Sequence, residues 1–137
     1  MLQLIIHLFS DYWTQSDYMA LNKQDRTVPC LIHCILYTIP FMIFTTDILP
    51  LSLIFVTHFI EDRYGLVKYV IWLKNHLNPT FKYYPFKNCS VTGYHDDWLN
   101  DPNKEGVRPK FITTWLYIIT DNSYHLTCNY YILSTFL

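Results

Sequence analysis

At 137 residues the chain has room for one core of modest size, and a formal net charge of −1 gives no basic footprint for nucleic acid. Hydrophobic residues make up 51% of it, so long apolar segments dominate, and three glycines leave no Gly-rich loop to cradle a phosphate.

The first expected helix runs from about Leu2 to Leu21. Its opening half is apolar and Ser10 to Tyr18 is polar. That profile fits a spanning helix with one face packed inward, and equally a re-entrant or surface helix. The start lacks a basic n-region and a small-residue cleavage site, so it does not read as a cleavable signal peptide. Asn22 to Arg26 forms a short charged turn. Thr27 suits an N-cap, Pro29 is tolerated in the first turn, and helix two follows to Phe44 with a kink expected at Pro40. Thr27 to Thr46 is twenty residues without a formal charge, long enough to span a bilayer core.

Helix three is expected from Ile48 to about Tyr64, with Asp47 as its cap and Glu61-Asp62-Arg63 near its end. Leu66, Tyr69, Val70, Leu73 and Leu77 make an apolar stripe, so Leu66 to Leu77 reads as an amphipathic helix along a membrane surface. A long polar loop occupies about 78–109, and Pro109 opens a last helix to about Thr135. Its segment Phe111 to Leu137 holds one acid, Asp121. Lys and Arg fall in the first connection and in the region from Arg63 to Lys110, with none in the second connection. That alternation places the basic connections on the cytoplasmic side of a four-span protein. The expected fold is therefore all-α: one domain over 1–137, a multi-pass membrane four-helix bundle with an added amphipathic surface helix.

Polar residues recur at helical spacing inside these apolar segments. His7, Asp11 and Gln15 share one face, as do His58 with Asp62 and Asp121 with His125, and His33 stands alone in an uncharged run. Ionisable groups in apolar segments are costly unless they pair, bind an ion or serve a reaction. Imidazoles with carboxylates suit Zn²⁺, Mn²⁺ or Fe²⁺, and helix bundles build metal sites in this way. The same groups suit a hydrogen-bonded network between helices or a proton or cation path. Gln15 also suits a solvated helix end, and Lys23 an interface anchor. Cys30 and Cys34, one turn apart, read as buried inert thiols, since Cys30, Cys34, Cys89 and Cys128 form no CxxC pair. His95, Asp96 and Asp97 look ligand-like but read as solvated loop residues. No GxSxG, HExxH or P-loop occurs.

The spacings His7-x3-Asp11-x3-Gln15, Lys23, His33-x3-Tyr37, His58-x3-Asp62-Arg63 and Asp121-Asn122-x2-His125 resemble a domain-of-unknown-function membrane family of bacteria and phages. The likeness covers nearly the whole chain, although the loop from Tyr94 to Arg108 is longer and more charged than that family's pattern. It implies a small multi-pass protein of the inner membrane of a bacterial host, with the long loop cytoplasmic. It also implies that His7, Asp11, Gln15, Lys23, His33, His58, Asp62, Asp121 and His125 are motif positions. The leading expectation is a membrane-embedded metal-dependent enzyme, a hydrolase acting on a lipid or membrane-proximal substrate. His7, Asp11, His58, Asp62, Asp121 and His125 are its candidate metal ligands or their orienters, and Gln15, Lys23 and His33 its candidate catalytic groups. The alternatives are a non-enzymatic phage membrane protein binding a host membrane partner, and a small ion conduit.

Overall fold

The computed structural model describes residues 1–77 and 110–137, and the side chains of all of these except 75, 76 and 110–114. The expected loop, with Cys89, His95, Asp96 and Asp97, lies outside the described residues. The described residues are helical or in short connections, with no strand among them. They belong to two compact units, one of Met1–Gly65 with Tyr124–Leu137 and one within Leu66–Ser123.

In the first unit α1, Leu2–Leu8, runs straight into a π-helical turn, Phe9–Trp13. Thr14 Oγ1 donates to the Ser10 carbonyl at 2.6 Å where that turn ends. Ser16 then caps α2, Asp17–Asn22, by accepting from the Met19 amide at 3.3 Å. So the single helix expected over Leu2 to Leu21 is two helices with a wide turn and a break between them. Next come α3, Thr27–Thr38, a 3₁₀ turn, Ile39–Ile43, and α4, Ile48–Tyr64. Gly65 ends α4 in the left-handed conformation, φ 57° and ψ 51°, which a side chain disfavours. The C-terminal part of α6, Lys110–Phe136, completes the unit. Its apolar core is Ile6, Tyr37, Phe41, Ile54 and Leu133, with Phe44, Leu51 and Ile132 packed against it.

The second unit contains α5, Val67–His76, and the N-terminal part of α6. Val67, Ile71 and Tyr117 form its small buried cluster.

Among the described residues no helix is long and apolar enough to cross a membrane. This overturns the multi-pass membrane four-helix bundle, its four-span topology and the inner-membrane placement. The reason is that a segment without formal charge is not thereby apolar or continuous. The uncharged run Thr27 to Thr46 stops being α-helical after Thr38, and Pro40 lies in the first turn of the 3₁₀ segment that follows. Its α-helical part also buries His33. Helix α4 is 17 residues and closes on Glu61, Asp62 and Arg63. Helix α6 has the length, at 27 residues, but Asp121, Asn122, Ser123, His125 and Asn129 interrupt it.

Candidate metal centre

Helix spacing delivers most of the polar groups to one place. On α3 the buried face is Pro29, Cys30, His33, Cys34 and Tyr37. On α4 it is Pro50, Ile54, His58, Glu61 and Asp62. From the N-terminal segment come His7, Ser10 and Asp11, the last two inside the π-helical turn. Such turns carry an extra residue per turn and recur at functional sites. Here the wider turn lets the neighbours Ser10 and Asp11 both face inward. From α6 come His125 and Asn129, each nearly fully buried.

His33 Nε2 is the hub. It lies 3.2 Å from Asp11 Oδ1, 3.1 Å from Asp62 Oδ2 and 3.0 Å from His58 Nε2. His58 Nε2 is also 3.3 Å from Asp62 Oδ2. Yet Asp11 Oδ1 and Asp62 Oδ2, both buried, accept no hydrogen bond of good geometry. The two ring nitrogens share a hydrogen bond, and the two carboxylate oxygens stand beside them without one of good geometry. Metal–ligand distances of about 2.0–2.1 Å place neighbouring ligands about 2.9–3.4 Å apart in octahedral or tetrahedral sites, the separation seen here. Asp11, His33 and His58 each offer one ligand atom within 4.8 Å of the others, and so do His58, Glu61 and His125. These buried clusters could hold a metal ion.

The electrostatics follow from the packing. Burial would raise the Asp11 carboxyl, but the His33 ring and the Lys23 charge outweigh it and hold it well below the usual carboxylate range. Burial acts likewise on Asp62 and is outweighed by His58, Lys23, His125 and His33. Burial lowers His33, but Asp11 and Asp62 beside it win and raise it. His58 is pushed down to about 4, by burial first and by His125 second. Its ring therefore stays neutral at ordinary pH, with a lone pair to offer. Lys23 Nζ pairs with Asp62 Oδ2 at 2.9 Å, and its side chain, 13% exposed, marks the solvent edge of the cluster. Arg63 donates to the Gln24 carbonyl and fixes the α2–α3 connection against α4.

Behind the cluster lies a relay of neutral groups. Tyr37 stacks on His58 with ring centroids 3.5 Å apart and planes 9° from parallel. Asn129 Nδ2 donates to the Tyr37 hydroxyl at 2.6 Å, and the same hydroxyl hydrogen-bonds His7 Nδ1, 2.7 Å away. His7 Nδ1 thus meets the Tyr37 hydroxyl on the far side of His58.

Of the residues singled out from the sequence, the first unit gathers His7, Asp11, His33, His58, Asp62, His125 and Lys23. Asp121 sits one turn before His125 on α6, half-buried, in the second unit. Gln15 falls in the break between the π-helical turn and α2, with a buried Oε1 that accepts no hydrogen bond. Sequence reasoning missed Glu61, Tyr37 and Asn129 as members of the site. Glu61 had a signal: it is three residues from His58, on the same helix face.

The whole of this arrangement lies within a stretch matched to a known family. Residues 1–136 match the family described as protein of unknown function DUF3307, and the chain belongs to that family. No curated protein and no solved structure matches it.

Proposed function

We propose that this protein is a divalent-metal-dependent hydrolase whose ion is held by Asp11, His33 and His58. The observation that carries the reading is the clustering of these three buried groups, with His33 Nε2 3.2 Å from Asp11 Oδ1 and 3.0 Å from His58 Nε2, and with Asp11 Oδ1 accepting no hydrogen bond of good geometry. Two imidazoles and a carboxylate suit Zn²⁺, Mn²⁺ or Fe²⁺. Three protein ligands leave a position for water, and a bound ion makes that water a nucleophile near neutral pH.

The chain's own groups do the rest. Asp62, beside both imidazoles, orients the water and holds Lys23 at the rim. From that rim the Lys23 ammonium would stabilise a developing oxyanion. Tyr37, stacked on His58, keeps that ring from turning. Asp11 and Asp62 raise the His33 ring, so an ion there would compete with a proton.

Metal analysis of the purified protein, with hydrolysis of a panel of nitrophenyl esters and phosphate esters, tests this. Bound metal, and turnover lost with chelator and in Asp11→Asn, are expected. A protein that holds no metal and melts identically with chelator or added Zn²⁺ would leave only a hydrogen-bonded network between helices.

A further inference from the structure

His58 shows a second face. While Nε2 meets His33, its Nδ1 lies 3.0 Å from His125 Nδ1. His125 Nδ1 in turn contacts Glu61 Oε2. Glu61 is 5% exposed, and its Oε2 is buried and accepts no hydrogen bond of normal geometry. His58, Glu61 and His125 each present a donor atom within 4.8 Å of the others. On this side too, nitrogen faces nitrogen, with a carboxylate oxygen beside them. Each contact takes one N–H, so a neutral His58 donates on one side and accepts on the other, and Glu61 Oε2 is the buried donor atom left over on this side.

We propose that His58 bridges two divalent ions: one on Nε2 with Asp11 and His33, the second on Nδ1 with Glu61 and His125. The second site deepens the reading given above and rests on it for the first. Forming both metal–nitrogen bonds breaks the remaining N–H bond of the His58 ring, and that proton leaves to water. The ring becomes an imidazolate, a stronger donor to both ions. The ions sit on opposite sides of one ring, so they do not share a bridging oxygen as pairs about 3.5–4 Å apart do. The role of the second ion is then to fix the His58 ring and its charge, not to carry the nucleophile. Cys128 supports this side as a positioning residue. Its thiol donates a hydrogen bond to the Glu61 carboxylate.

The test is the Zn²⁺ content of the full chain, dialysed after loading, in the parent and two variants. The parent should keep two ions, Glu61→Gln one and Asp11→Asn one, each with helical content unchanged by circular dichroism. Copper gives an independent readout that needs no variant. Cu²⁺ resonance intensity should rise to one equivalent and fall with the second, because an imidazolate couples the two spins. A parent that keeps one Zn²⁺, lost in Asp11→Asn and retained in Glu61→Gln, overturns the bridge and leaves the hydrolase reading standing. A parent that keeps none overturns both. Copper intensity that doubles at two equivalents shows separate sites and overturns the bridge.

Discussion

The first unit stacks two layers on the same helices, one polar and one apolar. From α3 into the 3₁₀ turn the inward face passes from His33 through Tyr37 to Phe41 in steps of four residues. On α6 it passes from His125 through Asn129 to Leu133, and on α4, in the opposite chain direction, from Asp62 through His58 to Ile54. The apolar end is held by burial, which is non-directional and tolerates changes of shape. The polar end is held by a set of atoms whose lone pairs and charges must be answered one by one. Two layers with the same helix spacing and the same burial therefore respond differently to loss of a side chain. The apolar layer loses packing, and the polar layer loses a ligand and strands its neighbours.

The sharpest way to separate the layers is His58→Ala against Ile54→Ala, one turn apart on α4. His58→Ala removes the donor shared by both ligand groups and leaves Asp11, Asp62 and Glu61 facing one another. Breaking a buried charge network in this way costs about 3–5 kcal/mol. The metal-dependent part of stability, about 4 kcal/mol at a thousandfold excess over Kd, disappears with it. Ile54→Ala should cost about 2–5 kcal/mol through its cavity. Thermal melts with and without chelator distinguish the two: the gap between them closes in His58→Ala and persists in Ile54→Ala. Equal chelator gaps in both variants would show that the polar layer is not a metal centre.

A smaller effect is expected where the layers join. Tyr37→Phe keeps the ring on His58 but removes the hydroxyl that links Asn129 to His7. It leaves a buried donor and a buried acceptor without that partner, at about 1–3 kcal/mol. Metal content should not change, since the hydroxyl is no ligand. A fall in metal content with stability preserved would place Tyr37 inside the coordination sphere.

How much of this was legible in the sequence follows the same division. Apolar periodicity located most of the helices, because burial depends on pattern alone, whereas the expected Thr27 cap is the first residue of α3 and Asp47 precedes α4 without a side-chain cap bond. The expected Ile48 to Tyr64 helix is α4, and Pro40 does end regular α-helix on its segment. Spacing at i, i+4 put His58 with Asp62 on one buried face. What spacing fixes is a face, not a partner. Nothing in the sequence said that His33 would meet both Asp11 and Asp62, or that Tyr37 would stand between Asn129 and His7. The π-helical turn was hidden because one added residue leaves the residue order unchanged. Glu61 was hidden by company: beside Asp62 and Arg63 it read only as part of the charged end of its helix. The membrane reading failed for a related reason. Absence of charge was weighed as apolarity, and the Thr, Asn, His and Ser of α3 and α6 were given too little weight.

The smallest predicted effect lies at the end of α4, three residues beyond Asp62, and asks whether the polar layer feels a change in backbone alone. Gly65 has φ 57° and ψ 51°, and its amide donates to the Glu61 carbonyl. A Cβ in that conformation meets the following carbonyl, so Gly65→Ala should cost about 1 kcal/mol. If the cost stays at the cap, metal content and the chelator gap remain those of the parent. The strain could instead be relieved by unwinding the last turn of α4, which carries Glu61 and Asp62. Those carboxylates would then shift together, and the Glu61 ion would be lost before the Asp11 ion, since only the former has its carboxylate on that turn. Metal content in Gly65→Ala, compared with Glu61→Gln, thus reports how rigidly the helix end holds its ligand. Two ions retained would show a rigid turn and a purely local cap.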